Sequence, residues 1–149
     1  MKILVLGIGG IGGFFGGFLQ ESGADVTFLV RPKRKELLIK NKLKIISSLG
    51  NLNLEPNLVL SNELKPIYDI VLVSCKTYDL DQAMRDLKGV RGKGMIIPFL
   101  NDLRKPSLIQ HSPNFYWINH IAERIELCCH RSHLLIEKFF QHAFLLLSY

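Results

Sequence analysis

Residues 2–6 (KILVL) form an unbroken aliphatic run that stops at Gly7. That is the pattern of a short strand covered on both faces of a parallel sheet. From Gly10 to Glu21 the pattern changes to spacings of three and four, with Ile11, Phe14, Phe15, Phe18 and Leu19 as its large apolar positions. The spacing predicts a helix, with Gly23 placed to stop it. Gly12, Gly13, Gly16 and Gly17 weaken such a helix by up to ~1 kcal/mol each relative to alanine, so close backbone packing is the expected compensation. A second strand is predicted over 25–30 (DVTFLV) and a short basic helix over 33–42. Residues 43–60 read as two or three strands, broken by turn formers from Ser47 to Asn51 and by Pro56. DIVLVSC (69–75) is the best buried strand. Asp79 to Lys88 then reads as a helix with Leu80, Met84 and Leu87 on one side and Gly89 closing it, and GMIIPFL (94–100) as a last strand. Strand and helix alternate with short connections, which predicts an α/β fold with a right-handed, doubly wound parallel sheet of the Rossmann type.

Past Asn101 this rhythm is lost. All five histidines, the single Trp and two of the three cysteines lie there, and 115–129 and 132–147 are expected to be helical. The reading is therefore a dinucleotide-binding domain over 1–101 followed by a divergent, mainly helical tail over 102–149. At 149 residues, 48% hydrophobic and 21% charged, the chain has one domain's worth of core and not two.

The formal net charge of +6 raises the question of a nucleic-acid or anionic-membrane face. Residues 31–44 hold seven Lys/Arg against one Glu, equal to the whole net charge, and this stretch begins where a smaller anion is expected. Neither nucleic acid nor membrane is therefore the expected partner. Cys75, Cys128 and Cys129 are odd in number and two are adjacent, so no disulfide framework is expected and a reducing cytoplasm fits. A secretory signal in the apolar N-terminus is the competing reading. The seven glycines from Gly7 to Gly17 speak against it.

Candidate chemistry gathers at the strand ends. Gly7-Ile8-Gly9-Gly10-Ile11-Gly12 is a Gly-x-Gly-x-x-Gly between a strand and a helix. In that setting the first glycine makes the tight turn, the second lets a pyrophosphate approach the backbone, and the third lets the helix pack on the strand. The helix N-terminus then holds the phosphates. A flexible glycine loop without a ligand is the bland alternative. The second strand ends at Val30-Arg31, where an NAD enzyme usually carries a carboxylate for the ribose 2′-hydroxyl. A guanidinium there favours NADP(H), since it can hold a 2′-phosphate bidentately, while a solvated loop cation is the other reading of Arg31. Lys76 and Asn101 follow the next two strands and, with Gly7 and Arg31, are expected to line one side of the sheet. Cys128-Cys129-His130 with His133 lacks the separated ligand pairs of a structural zinc module, so no metal is expected. No nucleophile elbow or Cys/His catalytic pairing is present.

KILVLGIGGIGGFFGG, DVTFLVRPKR, VLVSCKTYDLDQA and IIPFLN together resemble the N-terminal half of the ketopantoate reductase (2-dehydropantoate 2-reductase) family over about residues 1–101. The resemblance implies an oxidoreductase that reduces a 2-oxo acid to a 2-hydroxy acid with NADPH, on the route to pantothenate and coenzyme A. It implies that Gly7 to Gly12 bind the pyrophosphate and that Arg31 and Lys76 bind the phosphate-bearing end. Asn101 would serve where nicotinamide and substrate meet. Two departures qualify it. Asp102 stands where the family has glycine, and the family's helical domain, which supplies the proton donor, has no counterpart in this sequence, so no catalytic residue is assigned. The expectation is a shortened form that binds NADP(H) with little turnover alone. The alternative is a non-catalytic nucleotide-binding or interaction module, with self-association or a partner through the apolar tail at Phe139, Phe140 and Phe144 to Leu147.

Overall fold

The computed structural model describes residues 1–87 and 95–98. Asn101, the 102–149 tail with its expected helices and apolar patch, the Cys/His group and the Gly89 helix stop lie outside them. Seven strands and three α-helices are described: β1 (Lys2–Leu6), α1 (Gly10–Glu21), β2 (Asp25–Leu29), α2 (Pro32–Asn41), β3 (Leu43–Ser47), β4 (Gly50–Leu54), β5 (Asn57–Val59), β6 (Ile70–Val73), α3 (Leu80–Asp86) and β7 (Met95–Pro98). Single 3-10 turns precede β6 at Ser61–Glu63 and lead into α3 at Thr77–Asp79.

Five strands make one sheet in the order β5-β2-β1-β6-β7, with every pairing parallel. β1 is central, and Ile3, Leu4, Val5 and Leu6 are all buried, which is why its sequence is aliphatic without alternation. The chain leaves β1 first toward β2 and returns to β1's other side as β6. The direction of winding thus reverses between β1 and β6, and a crevice opens outside their carboxyl ends.

Strand alternation sends successive residues to opposite faces. On one face Leu4, Leu6, Leu29, Val71 and Val73 pack with Leu80, Ala83 and Met84 of α3. On the other, α1 lies against Val5 and Phe28.

The close backbone packing expected of the α1 glycines is present. Gly12, Gly13, Gly16 and Gly17 are buried with Phe15, while Ile11, Phe14, Phe18 and Leu19 are half-buried. A Cβ on Gly16 would stand 2.5 Å from the Phe28 ring, and one on Gly17 would stand 2.3 Å from Ile45 Cδ1. The helix lies too near the sheet for side chains, and Phe14 stacks instead on Phe18 with ring centroids 4.9 Å apart. The strands read over 43–60 are present as three, and they divide between two sheets. β3 and β4 form a separate antiparallel hairpin whose Leu43 and Ile45 lie against the glycines of α1, and only β5 joins the main sheet, beside β2.

The helix boundaries have local causes. Gly23 follows α1 at φ +89°, its N–H donating to Gln20 O. Pro32 opens α2, where the missing N–H costs no intrahelical bond.

Candidate functional site

The turn after β1 is stitched to the end of β6. Ser74 donates its backbone N–H to Leu6 O at 2.9 Å, and its hydroxyl lies 2.8 Å from both Leu6 O and Gly7 O. Gly7 has φ +91°, a conformation that costs a residue with a β-carbon, and a Cβ there would also meet the Cys75 backbone at 3.0 Å. At Gly12 the constraint is space: a Cβ would stand 1.9 Å from Gly7 O and 2.1 Å from Ser74 Oγ. The first turn of α1 is thereby pressed onto the end of β1. Gly9 and Gly10 have nothing within 4 Å of a Cβ position, so their side of the turn is open. Gly9 stands at the N-cap, no side chain caps the helix, and no acidic residue lies in its first turn. The amides there are left for another acceptor, and the helix dipole favours a negative one.

A cleft of about 580 Å³ opens over the strand ends, lined among others by Gly7, Ile8, Arg31, Arg34, Cys75 and Asp79. Arg31 follows β2 and Asp79 opens α3. The Arg31 guanidinium donates through Nη2 to Asp79 Oδ1, forming an ion pair whose side chains are 72% and 32% exposed. The hydrogen bond to Asp79 and its charge push the Arg31 pKa above the usual arginine value. Burial pushes the Cys75 thiol up, with a further push from the Asp79 carboxylate, so this thiol is a poor nucleophile.

Of the residues singled out in the sequence, Gly7, Ile8 and Arg31 line the cleft. Gly9, Gly10, Ile11 and Gly12 continue from it into α1. Lys76 lies beyond the end of β6, but it is not among the lining residues; its ammonium sits 5.8 Å from the centroid of the Tyr78 ring. Asn101 lies outside the described residues. Ser74 and Asp79 were missed. A polar residue ending a buried strand was a signal for Ser74, whereas no local signal marks a bond between positions 31 and 79.

Among the described residues no cluster of three or more His, Cys, Asp or Glu could hold a metal ion. Among those residues, too, no helix is long and apolar enough to cross a membrane.

A parallel sheet in this order, with a glycine turn entering a helix at the switch point, defines the doubly wound dinucleotide-binding class of fold. Comparison with known proteins narrows the class to a family. The sequence model described as Ketopantoate reductase PanE/ApbA matches residues 3–117, and the chain belongs to that family. An uncharacterized oxidoreductase, YkpB of Bacillus subtilis, is 47% identical over 105 residues, which is 70% of this chain and 34% of the relative. A 2-dehydropantoate 2-reductase of Pyrococcus horikoshii is 35% identical over 91 residues, 60% of this chain and 29% of the relative. The chain therefore spans about a third of the length of these relatives. Among solved structures, a D-mandelate dehydrogenase with NADH and anilino(oxo)acetate superposes with a TM-score of 0.70 at 21% identity, covering 78% of this chain and 40% of that one.

Proposed function

We propose that this chain binds NADP(H) in the strand-end cleft and forms the cofactor-binding half of an oxidoreductase that reduces 2-dehydropantoate to pantoate. The observation that carries the reading is that Arg31 lines one cleft together with Gly7 and Ile8, the start of the glycine turn that leads into an uncapped helix N-terminus. The residues present suit a dinucleotide. Open space in front of Gly9 and Gly10 admits a pyrophosphate to within hydrogen-bonding reach of the α1 amides. Arg31 stands at the end of β2, where the adenosine ribose of such a ligand lies in this fold class.

In this reading the Gly7 to Gly12 backbone holds the pyrophosphate and Arg31 takes the 2′-phosphate through its free N–H donors. Lys76 adds a second charge after leaving Tyr78, and Asn101 orients nicotinamide and substrate. Bound NADPH supplies the hydride that reduces the 2-oxo carbonyl. Cys75 stays protonated beside the cofactor because burial disfavours its thiolate. The D-mandelate dehydrogenase of the same fold holds NADH, so the 2′-phosphate preference rests on Arg31.

Thermal unfolding with NADPH, NADH or no nucleotide tests the proposal. NADPH at a hundredfold excess over Kd is expected to add about 2.7 kcal/mol of stability, with a smaller shift for NADH. Arg31→Glu should remove the difference between the two nucleotides. No shift with either one sinks the reading.

A further inference from the structure

We propose that Asp79 sets how sharply the cleft distinguishes a 2′-phosphorylated from an unphosphorylated adenine dinucleotide, by holding Arg31 in an ion pair that the phosphate must open. The inference rests on the nucleotide reading above and extends it to the residue that tunes specificity.

Three features of the cleft carry it. Arg31 and Asp79 lie 48 positions apart, at the end of β2 and the start of α3, and they meet over a cleft that both line. Asp79 ends the 3-10 turn that runs into α3 and makes no side-chain bond to the first-turn amides, so its carboxylate is committed to Arg31. Finally, the charged lining residues balance: Arg31 and Arg34 are offset by Asp79 and Asp86. The charged side chains lining the cleft thus sum to zero.

A ribose 2′-phosphate, like other phosphate monoesters, carries roughly two negative charges near neutral pH. It is drawn to Arg31 and repelled by the carboxylate bonded to the same guanidinium. A 2′-hydroxyl carries no charge for the carboxylate to repel and can donate a hydrogen bond to it. Asp79 therefore weakens the phosphorylated nucleotide and does not weaken the other. It does not block the phosphate, because an arginine has five N–H donors and Asp79 engages one terminal nitrogen. Once released, the carboxylate, already about a third exposed at 32%, turns to solvent. Both side chains reach solvent, so the effect is several-fold and not orders of magnitude.

The test measures dissociation constants for NADPH and NADH by nucleotide fluorescence on the full 149-residue chain, as wild type, Asp79→Asn and Arg31→Ala. Asparagine keeps the size and the N-capping ability of aspartate, so the variant is expected to fold. Asp79→Asn should bind NADPH about fivefold more tightly, equivalent to ~1 kcal/mol, with NADH within about twofold of wild type. Arg31→Ala should weaken NADPH. Unchanged or weaker NADPH binding in Asp79→Asn, or equal tightening of both nucleotides, overturns the role of Asp79 alone. Failure of the wild type to bind either nucleotide overturns the parent reading and takes this proposal with it.

Discussion

Gly12 shows how one missing carbon atom positions a site. Its Cα faces Gly7 O and Ser74 Oγ so closely that a methyl group would overlap both, and one of these is backbone that cannot turn aside. Gly12→Ala is therefore expected to cost about 3 kcal/mol, the upper part of the range for overpacked positions, as read from urea unfolding. A cost below about 0.5 kcal/mol would show that the turn relaxes freely. This part of the site was legible, because the glycine spacing states its own steric reason. The Ser74 bridge left only a weak signal, a polar residue ending a buried strand, because such a serine also reads as the first residue of a loop. The Arg31 and Asp79 pair was less legible still: each residue had a local explanation, as a phosphate ligand and as a helix opener, and only the sheet order brings them together.

Among the elements, the limits of α1 and the close packing of its glycines matched the reading from sequence, while which of its large apolar residues is buried did not follow from it. Periodicity locates a helix by its large apolar residues and assumes that they face inward. Here the buried stripe is glycine, whose lack of a side chain is what makes the approach to Phe28 and Ile45 possible. The β3–β4 hairpin was expected only as strands, because its pairing partner could not be read from short runs bounded by turn residues. A different local device joins α2 to the chain that follows β5. Glu63 accepts from the Leu60 N–H at 2.9 Å and from Lys35 Nζ at 3.0 Å. The backbone bond first, then Lys35, holds its carboxyl below the usual glutamate value of 4.5. A carboxyl depressed in the folded state stabilises above its unfolded pKa, and that contribution is lost as pH falls through the lower folded value. Glu63→Gln should accordingly melt slightly lower than wild type near neutral pH, and the two melting temperatures should converge as the pH falls below the usual carboxylate range. Parallel curves over the whole range would remove Glu63 from the acid response.

For the whole molecule, the parallel sheet brings residues from distant segments to one edge, which alternation of strand and helix made foreseeable. The basic segment from Arg31 to Lys44 was also visible, and its first residue and Arg34 line the cleft while Lys33 and Lys40 face solvent. The groups described at the cleft suit binding a nucleotide, and the chain spans about a third of the length of its relatives. The contact between the glycine stripe of α1 and its neighbours bears on protein engineering. Because the fit is shared among the helix, Phe28 and the hairpin residues Leu43 and Ile45, a chimaera receiving only residues 7–21 inherits half of a mould. Such a graft should succeed when the recipient carries matching apolar bulk at those three places, and otherwise leave a groove beneath the transplanted helix.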